Sequence, residues 1–406
     1  MGELISPPFD VVTTAQRKAL YRNPLNSIHL SVPMGSAPAV RAAEILKEWK
    51  EKGVILQDHH PCIYVYYQYF RLPDLDQEFC RKGFVCFIEA AFWEEEIVLR
   101  HENTLPASVS DRIKLLDKTQ LNASPTHGLY TDETFSLEPL MDACMQQPVY
   151  QVEDYQGVRD VLGIISDAAT IRKFVSLMRD KQIILADGHH RYESSLAYRH
   201  KNMQQNPAHT GNELYNFHLM YLSNTESEDL KVQPTHRLIT NLPELREEEL
   251  LKRTARYFKI DMLDDVYDIP ELIAGKQWTF GLMMQDRYYR ICLKPEMHAQ
   301  FEGTISDELK QLDVVVLHHY FIDKILGIAE DEQRRSPFIS YERSFASCLF
   351  RLSRREVQMA LITNGVSIEQ IKEICYSGYL LPQKSTYFYP KAICGFLFAS
   401  IREHES

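Results

Sequence analysis

Two periodicities alternate along the first half of the chain. Ala39–Lys52 has the helical one, with Ala42, Ile45, Leu46 and Trp49 on one side. Cys62–Phe70 is an aromatic, β-branched run, which predicts a strand. Gly83–Trp93 reads as a second strand and Glu95–Arg100 as its continuation or hairpin partner. Ahead of these, Ser6–Val12 is a stiff, extended lead, and Thr13-Thr14 caps a short helix over Gln16–Tyr21. His101–Pro106 is loop-like. A helix then starts at Ser110-Asp111-Arg112 and runs to Leu121, and Asn122-Ala123-Ser124-Pro125 ends it. Gly128–Thr131 is a short strand. Helices over Phe135–Gln147 and Asp167–Asp180 flank a strand at Val158–Ile165. The apolar run Ile183–Ala186 stops at Asp187-Gly188, a helix follows through Arg199, and Phe217–Leu222 is a further strand.

Leu230–Arg237 joins this region to a second series. That series holds a charged helix over Glu244–Phe258, a hairpin of Trp278–Met284 with Tyr288–Leu293, and a helix over Leu309–Leu326 that contains His318-His319. A charged loop at Ile328–Ser336, a strand at Gln358–Thr363, a helix over Ser367–Tyr376 and a loop at Leu381–Pro390 complete it. Strands alternating with helices in both series predict an α/β protein with mixed α+β sheets. The expected parts are an N-terminal α/β core over residues 1–240 and a C-terminal α/β part over residues 241–406.

Composition narrows the class. The 406 residues suffice for two or three packed units. The net charge of -11 argues against a general nucleic-acid binder, so no nucleic acid is expected as a partner. No apolar run approaches a membrane span, and the start Met-Gly-Glu-Leu-Ile-Ser lacks a basic leader or signal core. None of the 8 cysteines forms a Cys-x-x-Cys pair, which fits reduced thiols and a cytoplasmic protein.

The chemistry concentrates at Ile183-Ile184-Leu185-Ala186-Asp187-Gly188-His189-His190-Arg191-Tyr192-Glu193. A strand, a glycine turn and a helix start aim backbone N–H groups and the positive helix end at one point. Arg191 and two histidines add polar or cationic groups there, so the point suits a phosphate, while Asp187 suits a metal ion or a hydroxyl group. A zinc site from Asp187, His189 and His190 is the competing reading. A second cluster is His101-Glu102-Asn103-Thr104 with Asp111-Arg112, where Glu102 could act as a general base or lie in a solvated loop. A third, Leu381–Lys391, sets Lys384, Ser385, Thr386 and Lys391 among three aromatics and two prolines. Its lysines could meet phosphate, or the loop could be a packing segment. Pro7-Pro8-Phe9-Asp10, Asn122 with Ser124, and Pro234-Thr235-His236-Arg237 are lesser candidates. No P-loop, Gly-x-Gly-x-x-Gly or Gly-x-Ser-x-Gly pattern is present.

Four of these motifs, in this order, resemble a bacterial family known only as a domain of unknown function, family 1015: Pro7–Val11, His101–Thr104 with Asp111-Arg112, Ala186–Glu193 and Pro382–Lys391. The Asp-Gly-His-His-Arg run preceded by His-Glu is also similar to the free-serine kinases of the ParB/sulfiredoxin-like superfamily. That resemblance implies a ParB/sulfiredoxin-like core with large insertions. It also implies a small-molecule kinase that moves a phosphoryl group from ATP or ADP, with Mg2+, to a hydroxyl acceptor such as free L-serine. Glu102, Asp187 and His190 would then be catalytic, with Asp187 also assisting the metal. Gly188, His189, His190, Arg191, Lys384 and Lys391 would hold phosphate, and His101, Thr104, Arg112, Asn122 and Ser124 would meet the substrate. Glu102 would have to lie near Asp187 and His190. The segment from Asn103 to Ala186 is much longer than in the compact kinases, which leaves serine itself unassigned. A nucleotide-binding regulator of the ParB type and a metal-dependent hydrolase are the alternatives, and an oligomer is compatible with all three.

Overall fold

The aromatic run becomes the strand Ile63–Arg71, and its alternation shows why the run reads so clearly. Val65 and Tyr67 enter one hydrophobic cluster, with Phe84, Phe174 and Leu196. Tyr66 enters another, with Val85, Leu219 and Tyr221. Successive side chains of a strand point to opposite faces, so both faces of this one are covered. The structure is a computed structural model that describes residues 2–72, 75–243, 246–301 and 305–402. The fold is α/β, in two compact units.

The first unit comprises Met1–Arg100, Thr104–Lys231 and Pro390–Ser406. Its eight-stranded sheet runs, edge to edge, Val98–Arg100, Ile183–Asp187, Thr126–Tyr130, Phe217–Asn224, Glu78–Glu89, Ile63–Arg71, Arg159–Ile165 and Tyr150–Glu153. Most neighbours are antiparallel. Val98–Arg100 runs parallel to Ile183–Asp187, and Thr126–Tyr130 parallel to Phe217–Asn224. Val98–Arg100 is therefore not the hairpin partner of the preceding strand. A 3-10 turn at Trp93–Glu95 and a left-handed Glu96 (φ 55°) redirect the chain first. The helix expected from Ser110 begins earlier, at Pro106, because proline's fixed φ and missing N–H suit the first turn. The helix Ala168–Met178 is capped by the Asp167 side chain, which accepts from Thr170 N at 2.7 Å. The last stretch of chain returns to this unit: Ala399–Ser400 pairs with Leu121–Asn122, and Ser6 bridges to Cys394.

The second unit comprises His101–Asn103 and Val232–Tyr389. Its six-stranded sheet has the order Phe258–Leu263, Tyr288–Leu293, Thr279–Met283, Met359–Ile362, His236–Ile239, Ile339–Glu342, with every pairing antiparallel. The expected hairpin is present. The charged helix is Glu247–Tyr257, and Glu244 and Leu245, at its expected start, lie outside the described residues. The single helix expected over Leu309–Leu326 is broken into short α-helical pieces and a π-helical stretch at Leu317–Ile325. His318 is buried there, between Arg237 Nε at 3.1 Å and Gln333 Oε1 at 2.7 Å.

Candidate functional site

The strand Ile183–Asp187 is buried throughout, and Asp187 lies at its C-terminal end. The neighbouring strand shifts register between His127 and Gly128, and His127 is the partner of Asp187. This bulge ends the pairing where the turn begins. Gly188 follows at φ 91°, and a Cβ there would come within 2.7 Å of Thr126 Cγ2 and 2.9 Å of Arg191 Nη2. Only glycine meets both constraints. It is the N-cap of the 17-residue helix His189–Gln205 and, being glycine, offers that end no capping side chain of its own. The first turn and the positive end of the helix dipole therefore begin directly after Asp187-Gly188.

Two cations converge on Asp187. Lys391 Nζ donates to Oδ1, and Arg191 Nη2 donates to Oδ2 at 2.9 Å. All three side chains are nearly buried, with 9–12 % of each side chain exposed. Burial alone would push the Asp187 carboxyl up. The Lys391 ammonium and the Arg191 guanidinium outweigh it and hold the group well below the usual carboxylate range. Arg191 Nη1 also donates to Ser124 Oγ at 2.9 Å and to Pro125 O at 2.6 Å. His190 accepts the Leu105 N–H on Nε2 at 3.0 Å, so that nitrogen carries no proton. His189 is buried.

Behind the turn lie two neutral histidines. His218 sits between Thr126 Oγ1 at 2.9 Å and Ser195 Oγ at 2.8 Å, and burial brings its pKa down to about 3. His127 contacts Ser223 Oγ at 2.7 Å and is likewise held well below its usual range by burial and by Arg81.

Beside the turn, Phe9, Arg112, Asn122, Ser124 and Arg191 line a cavity of about 40 Å³ with leucines of the helix Pro106–Thr119. The structure thus brings the expected substrate residues Arg112, Asn122 and Ser124 together with Arg191. Thr104 is half-buried just ahead of that helix.

The remaining expected residues belong to the second unit. His101 Nε2 contacts Thr386 Oγ1 at 2.8 Å, and His101 O accepts the Leu381 N–H at 2.8 Å. Glu102 Oε1 accepts the N–H of Lys384 at 3.2 Å, and Lys384 is left-handed at φ 57°. The His-Glu pair and the Lys384–Thr386 loop, far apart in sequence, are therefore joined. The Lys384 side chain is exposed, while Tyr387 and Phe388 are buried.

Residues 1–315 match the family described as "Protein of unknown function (DUF1015)". The chain belongs to that family. No curated protein matches the sequence. Among solved structures it is similar to a conserved hypothetical protein from Pyrococcus furiosus at 12% identity, over 78% of this chain and 95% of that one, TM-score 0.37. It is similar to a free serine kinase in complex with AMP at 12% identity, over 77% and 91%, TM-score 0.38. SbnI with a C-terminal truncation, from Staphylococcus aureus, follows at 11% identity, over 76% and 85%, TM-score 0.36.

In this DUF1015 chain no group of three or more His, Cys, Asp or Glu among the described residues is placed to hold a metal ion. Both Asp187 oxygens already accept from cations. A closed zinc site does not fit that donor set. Magnesium asks less: it keeps several waters and is commonly held by one or two carboxylates plus substrate phosphates. No helix among the described residues is long and apolar enough to cross a membrane, and none of the cysteines is in a disulfide.

Sequence reasoning missed how Lys391 is held. Arg81 Nη2 donates to Pro390 O and to Gln68 Oε1, and Gln68 Nε2 donates to Lys391 O at 3.1 Å and to Asp160 Oδ1 at 2.8 Å. Tyr66 OH donates to the same Asp160 oxygen at 2.5 Å. Burial pushes Asp160 up to about 7, against the pull of the Tyr66 and Gln68 hydrogen bonds. The available signal was Gln68 inside an aromatic strand and Arg81 inside another: polar residues where the alternation demands a covered face.

Proposed function

We propose that this DUF1015 protein is a nucleotide-dependent phosphotransferase of the ParB/sulfiredoxin-like kind that acts on a small hydroxyl-bearing acceptor. The observation that carries the reading is the buried Lys391–Asp187–Arg191 cluster at the glycine-capped start of a 17-residue helix. Two cations meet one carboxylate beside the first turn of a helix. A nucleotide phosphate has the charge and the oxygens to match both.

Phosphoryl transfer asks the protein mainly to position and to neutralise. The bond from the terminal phosphorus to its bridging oxygen breaks, and a new one forms to the acceptor oxygen. The hydroxyl proton passes to a carboxylate. The amides after Gly188 and the Lys391 ammonium bind the donor, with His189 and His190 as further phosphate contacts. Magnesium, bound with the nucleotide, would neutralise phosphate charge, and Asp187 would hold it. Glu102 takes the proton in this reading, a role supported by the likeness of the His-Glu pair to that of the free-serine kinases.

A thermal-shift series with AMP, ADP and ATP, each with and without Mg2+, tests the binding half. A ligand at about 100 times its Kd stabilises the native state by about 2.7 kcal/mol. Glu102→Gln tests the chemical half: it should keep nucleotide affinity within about twofold and lose about a hundredfold or more in turnover. Unchanged turnover in that variant removes Glu102 from the reaction.

A further inference from the structure

The six-stranded sheet of the second unit ends at Phe258–Leu263, which pairs on one side only, with Tyr288–Leu293. The phase of that ladder is fixed by its neighbours. Lys294 N–H donates to Tyr257 O at 3.0 Å, while Leu293 N–H turns the other way, to Trp278 O at 3.0 Å. Bonded and non-bonded positions alternate along an antiparallel pair. Lys259, Asp261 and Leu263 therefore bond to Tyr288–Leu293, and Phe258, Ile260 and Met262 direct their backbone groups outward. The Phe258 N–H is spent on Thr254 O, at the end of the preceding helix. Among the described residues, no hydrogen bond reaches the Phe258 carbonyl or the backbone groups of Ile260 and Met262.

Such an edge is a template for another strand unless its side chains forbid the pairing. Here they forbid it selectively. Lys259 and Asp261 lie on one face, with 71% and 30% of their side chains exposed. Arg290, on the neighbouring strand, donates to Asp261 Oδ2 at 2.7 Å. An incoming strand of arbitrary sequence meets a charge of each sign along this row. A second copy of the same strand, antiparallel and centred on Ile260, meets the row with the signs exchanged.

We infer that Phe258–Leu263 is a self-complementary edge that pairs with the same strand of a second copy of this chain, about a two-fold axis at Ile260. In that register Ile260 exchanges N–H···O bonds with its counterpart, and each Met262 N–H meets the Phe258 carbonyl of the other copy. The spent Phe258 N–H is missing only from the outermost rung. Lys259 stands directly across from Asp261 of the second copy at a non-bonded position, where side chains approach most closely. Charges then alternate across the joined sheets, from Arg290 to Asp261 to the second copy's Lys259. An axis one residue to either side sets Lys259 against Lys259 or Asp261 against Asp261, and like charges directly opposite are destabilising. Met262, 67% exposed in the single chain, comes to lie beside the buried Phe258 of the other copy. The pairing is isologous, so it closes as a dimer and leaves this edge covered in both chains.

The inference is independent of the phosphotransferase reading. The test is sedimentation velocity of full-length protein over roughly 1–100 µM, where a small interface of this kind associates. Wild type should pass from monomer to dimer across that range. Lys259→Asp sets acid against acid and Asp261→Lys sets base against base, so each should raise the dimer dissociation constant about tenfold or more. An equimolar mixture of the two variants restores opposite signs at every facing pair and should dimerise, although neither does alone. Lys259 is exposed, so K259D keeps the test decisive should D261K fail to fold. A wild type that stays monomeric throughout, a dimer that K259D leaves intact, or a mixture no more dimeric than its components overturns the inference.

Discussion

Replacing Lys391 by Met keeps the aliphatic stem and removes the charge that Asp187 faces at its Oδ1. The pair is nearly buried, with 9% and 12% of the side chains exposed, so water cannot take the place of the ammonium. Breaking a buried pair by deleting one partner costs about 3–5 kcal/mol. Arg191 stays on Oδ2 at 2.9 Å, which puts the expected loss at the lower end, about 3 kcal/mol. For a unit of this size that is a fall of roughly 6–12 °C in Tm. Fluorescence of Trp49 and Trp93 reports on the first unit once Trp278 of the second is replaced by Phe. The pH dependence adds a signature. A carboxyl whose folded pKa is depressed adds stability that is present above the unfolded value, about 3.9, and is lost as pH falls through the folded one. The gap between wild type and K391M should thus be constant above about pH 5 and close at lower pH. The double variant K391M/D187N should be less destabilised than the sum of the two single changes. A K391M protein within about 0.5 kcal/mol of wild type at neutral pH, or a gap unchanged in acid, would refute the buried-pair argument.

Gly188→Ala forces a Cβ to within 2.7 Å of Thr126 Cγ2 at φ 91°, and should cost about 1–3 kcal/mol, read by urea unfolding, together with nucleotide affinity. A silent Gly188→Ala would mean that the turn does not need its left-handed geometry. His218 is held at about 3 in the fold by burial, so the unfolded chain binds its proton first as pH falls below about 6.5. Stability should therefore fall with decreasing pH between about 6.5 and 3, by up to about 1.4 kcal/mol per pH unit for this group. His218→Gln should flatten that limb, and a limb of unchanged steepness would show that His218 does not contribute to it.

The elements most legible in the sequence were those whose local pattern and final environment agree. The Tyr66 strand, the Trp278–Leu293 hairpin and the helix after Gly188 are of this kind. The Leu309–Leu326 stretch misled because its apolar spacing fits an unbroken helix, while His318 must reach Arg237 and Gln333 from a π-helical turn. Ile339–Glu342 and Tyr150–Glu153 are four residues each, too short for alternation to register. The candidate site was legible as motifs and not as an arrangement. Asp187 and Lys391 were each visible as chemistry, but 204 residues separate them, and only packing could show that they pair. Arg81, Gln68 and Asp160 were invisible for a related reason: charged and amide side chains in strands read as solvent-facing, and here all three are fully buried.

The most direct measurement is a calorimetric titration of ADP, with Mg2+, into wild-type protein and K391M. Saturable binding to one site in wild type, weakened about tenfold or more by the loss of one ammonium contact, is the expected result. Equal affinity in the two proteins, with K391M folded, or no adenine-nucleotide binding by wild type, would contradict the placing of the phosphates at Asp187, Arg191 and Lys391.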